Sequence, residues 1–237
     1  MTSDKAKQPN VASKIEQMAE IRKFNERELE RRQILHQNVE NKTLLKSFRE
    51  LRTRLQAQSS NGNYVCMVTS VLAEGGASFT AKNLAAAIAL DRTKTAMLID
   101  CNLYAPSADQ LLAAEANVGM TDYLDHPGMG VEEIVYPSGV PRLRVIPVGH
   151  NRDGGTEKIT SVRMKQFIQE VKERYSDRYI IIDAPSAGDY DAETRILAEL
   201  CDHVVLVVPY GGVQESELKS VVDDIGPRLA GMVFNKK

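Results

Sequence analysis

Residues 69–85 carry small and hydroxyl side chains at the spacing of a phosphate-binding loop. The segment reads TSVLAEGGASFTAKNLA and follows an apolar run. In such a loop, backbone N–H groups surround the phosphates, a lysine neutralises their oxygens, and a Ser or Thr hydroxyl holds Mg²⁺. The chain keeps Gly75, Gly76 and Ser78, but Ala77 stands at the lysine position. The segment predicts an enzyme with altered chemistry or a protein that has lost that chemistry; a tight turn between strand and helix is the plainer alternative.

Two further segments end in side chains suited to act beside this loop. AMLIDCNLYAPS (96–107) brings Asp100 and Asn102 to the end of an apolar strand, and YIIIDAPS (179–186) does the same for Asp183. Oxygen-bearing side chains at this spacing suit a metal or a positioned water, and a strand carboxylate supports Mg²⁺. Each segment alone also fits a helix cap or a turn before proline. The three segments together, in this order, predict a nucleotide-type fold.

Short apolar runs alternate with helical patterns through residues 64–237. The runs are rich in Val and Ile, which is typical of strands buried on both faces of a parallel sheet. They cover 64–70, 95–100, 143–149, 179–185, 203–209 and 231–236, with helical patterns near 79–91, 107–113, 160–174, 191–200 and 215–225. We therefore expect an α/β fold with a doubly wound, mainly parallel sheet of about six to eight strands and helices on both faces. Thr69, Asp100, Asp183 and Pro209 then lie at the carboxyl ends of strands, where ligands bind.

The first 60 residues differ in charge from the rest of the chain. They hold 13 Lys and Arg against 8 Asp and Glu, whereas residues 61–237 hold 17 against 24. We expect disorder over 1–12, a helical arm over 13–57, and the loop-bearing domain over 64–237. Because the apolar stripe is sparse before Leu44, only the later part of the arm is expected to dock on the body. The basic arm indicates an acidic partner, a membrane surface or another copy of the chain, or else a solvated helix.

Composition argues against several classes of protein. No apolar run approaches the roughly 18 residues of a membrane span, so no transmembrane segment is expected. The polar, charged N-terminus does not resemble a signal peptide. Cys66, Cys101 and Cys201 lie in or beside apolar runs without metal-ligand spacing. They predict reduced, buried thiols in a cytoplasmic protein, and no nucleic-acid partner is predicted.

These stretches resemble the cytoplasmic domain of the bacterial tyrosine kinases of exopolysaccharide and capsule assembly, within the wider MinD/ParA class of P-loop ATPases. The resemblance runs from about residue 45 to residue 237 and includes SFRELRTRL (47–55), GMTDYL (119–124) and RYIIIDAPS (178–186). The first two of these are specific to the kinases, because MinD and ParA proteins lack them.

The resemblance implies roles for individual residues. Nucleotide contacts are implied for Glu74, Gly75, Gly76, Ala77, Ser78, Phe79, Thr80 and Asn235. Metal ligation is implied for Ser78, Asp100 and Asp183, and catalysis for Asp100, Asn102 and Asp183. Two positions depart from the family: Asn102 replaces an aspartate and Tyr104 an arginine.

The departures weaken the implied chemistry. Loss of one electrostatic donor such as the loop lysine costs on the order of 100–1000-fold in rate. Asn102 cannot act as a general base. Lys82, inside the helix and more than one turn from Ala77, is not expected to substitute for the lysine. We expect ATP or ADP and Mg²⁺ to bind weakly or not at all.

The arm carries the family's subunit-joining motif in altered form. Its three positions correspond to Lys46, Arg49 and Arg52, and Lys46 replaces a glutamate. We expect the chain to lack the tyrosine-rich tail that the family phosphorylates. In the family this motif joins subunits into a homo-octameric ring. With Lys46 at the glutamate position, like charges would meet at that contact, so we expect weaker self-association. The basic helix suits an acidic site on a kinase paralogue or on the cytoplasmic tail of a membrane polysaccharide co-polymerase.

Two hypotheses of function follow. The first is a degenerate kinase-like protein that regulates exopolysaccharide or capsule biosynthesis or export through protein partners, in the cytoplasm or at the inner membrane through a partner. The second is an ATP-dependent protein-tyrosine autokinase or ATPase. A third hypothesis is a MinD/ParA-like positioning ATPase. It is disfavoured by the kinase-specific segment SFRELRTRL (47–55) and by Leu72, which stands near the position where those ATPases have a second loop lysine. The sequence favours the first.

Overall fold

The computed structural model describes residues 22–59, 62–175 and 178–236. The segment 1–12, where disorder is expected, and the first part of the predicted arm, 13–21, lie outside the described residues. The helices are α1 (Glu26–Arg31), α2 (Lys42–Gln58), α3 (Ala77–Ala89), α4 (Met120–Asp125), α5 (Gly155–Ile159), α6 (Val162–Arg174), α7 (Asp191–Glu199) and α8 (Glu215–Ile225). The strands are β1 (Val65–Ser70), β2 (Thr95–Asp100), β3 (Tyr136–Pro137), β4 (Leu143–Ile146), β5 (Arg178–Asp183), β6 (His203–Pro209) and β7 (Leu229–Asn235).

The strands form one sheet in the order β3-β4-β2-β5-β1-β6-β7. All neighbours are parallel except β3 and β4. Parallel neighbours need long crossover connections, and the helices between the Val- and Ile-rich strands supply most of them. The predicted α/β fold and its mainly parallel sheet are confirmed. The antiparallel edge strand β3 was not predicted, because two residues are too few to show a periodicity.

Helices cover both faces of the sheet. Helices α2 and α3 pack on one face around Val68, Leu84 and Ile181, and α6, α7 and α8 pack on the other around Met67, Phe167 and Leu206. Helix α3 is almost wholly buried, and its alanine run lets it approach the sheet closely. This fixes the start of α3, and with it the loop that follows β1, against the centre of the sheet. The three cysteines are free and buried, as predicted.

The arm packs on the body over more of its length than the sequence indicated. Helix α2 buries Leu45, Phe48 and Leu55. The segment before it also docks, with buried side chains at Phe24, Leu29, Ile34 and Leu35. The expectation that only the later part docks was therefore wrong. The reason is that Ile34 and Leu35 lie outside any helix, so their burial leaves no helical periodicity in the sequence.

A buried polar side chain ties this segment to α3. Asn83 accepts a hydrogen bond from the Leu35 backbone N–H at 2.8 Å and donates to the Gln33 carbonyl at 2.9 Å. Both ends of the Asn83 amide are thus used to hold irregular backbone, which would otherwise bury unpaired polar groups. No helix in the described ranges is long and apolar enough to cross a membrane.

Candidate phosphate-binding site

The loop between β1 and α3 has the backbone geometry of an anion site. Gly76 begins α3 in the left-handed conformation, with φ 98°, and no side chain caps the helix there. The first N–H groups of a helix have no partner within the helix, and they attract anions. The loop is fastened to the neighbouring segment: Asp189 accepts hydrogen bonds from the Ala73 N–H and the Ser186 hydroxyl at 2.9 and 2.6 Å. The loop is therefore fastened to the connection between β5 and α7.

Glycine is needed at position 76 for two reasons. Its φ lies in the region that side chains disfavour, and a Cβ there would overlap the side-chain amide of Asn235. That amide donates a hydrogen bond to the Gly75 carbonyl at 3.1 Å. The end of the last strand, β7, thus braces the loop directly.

A cavity of about 390 Å³ lies in front of this loop. Loop residues form one wall, and Asn102, Tyr104 and Tyr190 form part of the other. None of the described residues that line the cavity is a lysine or arginine, and Glu74 adds a carboxylate. The cavity has the backbone of a phosphate site without its balancing charge.

The structure brings together most of the predicted nucleotide contacts. Residues 74–79 line the cavity. Thr80 is buried within α3, and Asn235 acts on the loop backbone rather than lining the cavity. Tyr190 and Ser186 also line it. Tyr190 was missed because it belongs to no motif, and Ser186, the last residue of segment 179–186, was given no role there.

The two strand carboxylates lie side by side beneath the cavity. Asp100 and Asp183 are directly paired in the register of β2 and β5, and both are buried. Asp100 accepts backbone hydrogen bonds from Asn102, Ser107 and Ala108 at 3.0, 2.8 and 2.9 Å. Burial nevertheless raises the pKa of Asp100 to about 6. Asp100 thus holds the loop after β2 in shape.

Asp183 is less well paired. Its Oδ2 is 3.5 Å from the Ser107 hydroxyl, and its Oδ1 has no hydrogen-bond partner within the described ranges. Burial, and then the charge of Asp100, raise the pKa of Asp183 well above its ordinary value, while the Ser78 hydroxyl and Lys82 oppose the shift. A buried carboxylate oxygen without a partner is costly, so this is a strained part of the site.

The opposite wall is aromatic. The rings of Tyr104 and Tyr190 stack with centroids 3.6 Å apart and an angle of 13° between them. The Tyr104 hydroxyl donates to Glu193 at 2.7 Å, and so does the Thr156 hydroxyl at 2.6 Å. Asn102 uses its side-chain oxygen to accept from the Ala105 N–H at 3.1 Å. Residues 102 and 104 therefore shape this wall and bring no positive charge to it.

Lys82 does not replace the missing loop lysine. It lies one helical turn beyond Ser78 and is not part of the cavity lining. Its ammonium is buried and donates to the Gln110 side-chain oxygen at 2.9 Å. Burial lowers the pKa of Lys82, while Asp183 and Asp100 raise it. The observed hydrogen bond of the cation is thus to a neutral group, two residues from Ala108, which donates to Asp100.

The residues present fit phosphate groups better than they fit a metal ion. The loop offers N–H groups, and Ser78 offers a hydroxyl. Among the predicted metal ligands, Asp183 has an oxygen without a hydrogen bond, but both Asp100 oxygens already accept backbone hydrogen bonds. No group of three His, Cys, Asp or Glu in the described part of the chain is placed to hold a metal ion. A ligand cage for Mg²⁺ is not formed by these side chains alone.

The predicted partner contacts on α2 do not behave alike. Lys46 and Arg49 are exposed. Arg52 instead donates to the Ala87 carbonyl at 2.9 Å, near the end of α3. Arginine near a helix C-terminus satisfies carbonyls that have no partner within the helix. Only Lys46 and Arg49 of the three project from the body.

No protein-family model matches the chain, but relatives are found among bacterial tyrosine-protein kinases. The chain is 29% identical to the tyrosine-protein kinase CpsD of Streptococcus agalactiae, over 80% of this chain and 82% of the relative. It is 28% identical to the tyrosine-protein kinase YwqD of Bacillus subtilis, over 80% of each. The resemblance to bacterial tyrosine kinases is confirmed.

Solved structures agree on the fold. The chimerical protein CapA2B2 matches with a TM-score of 0.74 at 23% identity, over 91% of each chain. The kinase domain of Escherichia coli tyrosine kinase ETK matches with a TM-score of 0.72 at 22% identity, over 81% of this chain and 75% of that one. The septum site-determining protein MinD of Pyrococcus horikoshii, solved with Mg-ADP, matches with 0.56 at 17% identity, over 72% and 68%. The fold is that of the P-loop kinases and ATPases.

Proposed function

We propose that this protein is a kinase-like regulator of exopolysaccharide or capsule biosynthesis or export, which acts through protein partners and has little or no phosphoryl-transfer activity. One observation carries the proposal: the cavity in front of the loop has no lysine or arginine in its described lining. Phosphoryl transfer depends on positioned cations that stabilise the charge of the transferred group. A cavity bounded by Ala77 and Glu74 lacks them.

The proposed working surface is the arm, predicted at residues 13–57, rather than the cavity of the body, predicted at 64–237. Lys46 and Arg49 are exposed one turn apart on α2 and present two positive charges. Such a surface suits an acidic site on a kinase paralogue or on the cytoplasmic tail of a membrane polysaccharide co-polymerase. We place the protein in the cytoplasm, at the inner membrane when such a partner holds it. The relatives are tyrosine kinases by name, which supports a kinase-like protein.

Complementation of a deletion strain tests the proposal. We expect polymer production to be restored by the wild type and by Ser78→Ala/Asp183→Asn, which removes the loop hydroxyl and a strand carboxylate. We expect Lys46→Glu/Arg49→Glu to fail. The control is Lys42→Glu/Arg54→Glu, which makes the same charge change at other exposed positions of α2. If the Ser78→Ala/Asp183→Asn variant fails to restore polymer production while Lys46→Glu/Arg49→Glu restores it, the cavity rather than the arm is the working surface and the proposal is wrong.

The alternative, an ATP-dependent autokinase, is favoured by one feature. Ser78 and the unpaired oxygen of Asp183 remain near the loop. Incubation with labelled ATP and Mg²⁺ separates the two, since we expect no phosphotyrosine above that of the Ser78→Ala/Asp183→Asn variant. Phosphotyrosine that the variant loses would establish the autokinase.

Assembly offers a separate test of the arm. With Lys46 in place of a glutamate, the chain alone should be a monomer or small oligomer in light scattering at micromolar concentration. Lys46→Glu should shift it to larger assemblies, whereas Lys42→Glu should not. A stable ring of the unmodified chain would remove Lys46 from the contact.

A further inference from the structure

We infer that Lys82 is a built-in counter-ion of the Asp100–Asp183 pair and takes the electrostatic place of a divalent cation at this site. The inference does not depend on the proposed regulatory role, because it concerns the charge balance within one chain. It explains how two adjacent buried carboxylates are kept in a fold whose loop has lost its lysine.

The placement of Lys82 on α3 supports the inference first. Ser78 and Lys82 are four residues apart, so they lie on the same face of the helix. Helix α3 packs against β5 and β2, the strands that end in Asp183 and Asp100, and Ser78 and Lys82 both lower the raised pKa of Asp183. The backbone of Lys82 is thus one turn further along α3 than Ser78, whose position holds Mg²⁺ in a working phosphate loop.

The burial of Lys82 supports it second. Lys82 is 8% exposed, and its one hydrogen-bond partner in the described structure is neutral, the side chain of Gln110 at 2.9 Å. Gln110 is itself held from the arm, because Arg32 donates to its backbone carbonyl at 2.9 Å. A buried ammonium needs an opposite charge nearby. Gln110 is two residues from Ala108, whose N–H donates to Asp100 at 2.9 Å, so the ammonium lies beside the turn that Asp100 holds. The charges of Asp183 and Asp100 raise the pKa of Lys82 against the effect of burial.

The charge count then decides what else the site can hold. Two carboxylates and one ammonium leave at most one negative charge, and Asp100 already accepts three backbone hydrogen bonds. A divalent ion entering here would meet the ammonium as a like charge in a poorly solvated place, where repulsion is strong. Lys82, five residues after position 77, therefore supplies a positive charge to the site, but it does not take the phosphate-binding role of the absent loop lysine.

Titration with Mn²⁺, followed by electron paramagnetic resonance, tests the inference on the full chain. We expect the wild type to bind Mn²⁺ only in the millimolar range, and Lys82→Met to bind at least about tenfold more tightly because the like charge is gone. Lys94→Met is the matched control: Lys94 is also partly buried and bonded to a neutral group, the Tyr179 hydroxyl at 3.1 Å. Its variant should bind as the wild type does. Equal affinity in all three proteins, or micromolar binding by the wild type, would overturn the inference.

Two more variants cover the case in which Lys82→Met does not fold. Asp183→Asn in the same chain removes one of the two negative charges, so the double variant Lys82→Met/Asp183→Asn should fold again. Lys82→Arg keeps the positive charge and should fold with the weak Mn²⁺ affinity of the wild type. A double variant as unstable as Lys82→Met alone would show that Lys82 serves packing rather than charge, and the inference would be wrong.

Discussion

Buried polar groups have different surroundings at the two ends of the parallel strands, which we call the carboxyl edge and the amino edge of the sheet. At the carboxyl edge, Asp183 is buried with one oxygen unpaired. At the amino edge, Asp202 accepts a hydrogen bond from the Val65 N–H at 2.8 Å and pairs with Lys172 at 2.8 Å. Two aspartates next to central strands thus have opposite surroundings. What distinguishes the carboxyl edge is that the unpaired buried group there is a carboxylate oxygen rather than a neutral one such as the Tyr64 hydroxyl at the amino edge, and an unpaired buried carboxylate is the more costly of the two.

The largest expected effect comes from two glycines at opposite edges. Gly76, at the carboxyl edge, and Gly62, before β1 at the amino edge, have nearly the same φ, 98° and 101°. A Cβ at Gly62 meets nothing, whereas one at Gly76 meets the Asn235 amide. We expect Gly62→Ala to cost about 1 kcal/mol from backbone strain and Gly76→Ala about 2–4 kcal/mol. Denaturant unfolding measures both, and equal losses would show that the loop is not braced by β7.

The next effect concerns the loop charge. Ala77→Lys places a cation where the phosphates of a nucleotide would lie, and a charge-assisted contact of about 1.5–3 kcal/mol strengthens binding roughly 10–100-fold. Calorimetric titration with ADP measures it. Ala73→Lys, in the same loop and also in the cavity lining, controls for a general gain of positive charge. No gain in the Ala77 variant would mean that the loop backbone no longer fits phosphate.

The sequence was informative about the edge and less so about the cavity. Apolar strand runs and the strand-end positions of Asp100 and Asp183 follow from residue types, because a parallel sheet buries both faces of its strands. The loop could be located from Gly75, Gly76 and Ser78. The direction of Lys82 could not, because a lysine on a buried helix face is indistinguishable in sequence from a solvated one. The position of Tyr190 at the cavity could not be predicted either, because it lies on a loop whose path is set by tertiary contacts.

The two aspartates give a smaller and oppositely signed pair of effects. Asp202→Asn removes an ion pair that is partly screened by solvent, so we expect a loss of about 1 kcal/mol. Asp183→Asn leaves Asp100 and Lys82 as a balanced pair, so we expect no loss and a gain of up to about 1 kcal/mol near pH 7. Thermal unfolding of both variants measures the difference. Destabilisation by Asp183→Asn as large as that by Asp202→Asn would place Asp183 among the structural carboxylates.

The smallest effect is a dependence on pH at the amino edge. Burial lowers the pKa of His203, with Asp202 opposing the shift and Lys172 adding to it. Its Nε2 lies 2.8 Å from the Ser59 hydroxyl, and its ring packs edge-on against Tyr64. A histidine with a lowered pKa is protonated more readily in the unfolded chain. The contribution of His203 to the free energy of unfolding is therefore complete above about pH 6.5, and it is lost as the pH falls toward the lowered pKa of the folded state.

His203→Gln, which keeps a polar side chain without a titrating group, should remove a few tenths of a kcal/mol of this acid sensitivity between about pH 7 and pH 5.5. Unfolding midpoints across that range, compared with those of the wild type, measure it. Asp183, whose pKa is raised, acts in the opposite sense, because its contribution to the free energy of unfolding is greatest in acid and falls as the pH rises. In Asp183→Asn, stability should therefore fall more steeply as the pH is lowered than it does in the wild type. If the two variants change the pH profile in the same direction, the contrast between the two edges of the sheet is wrong.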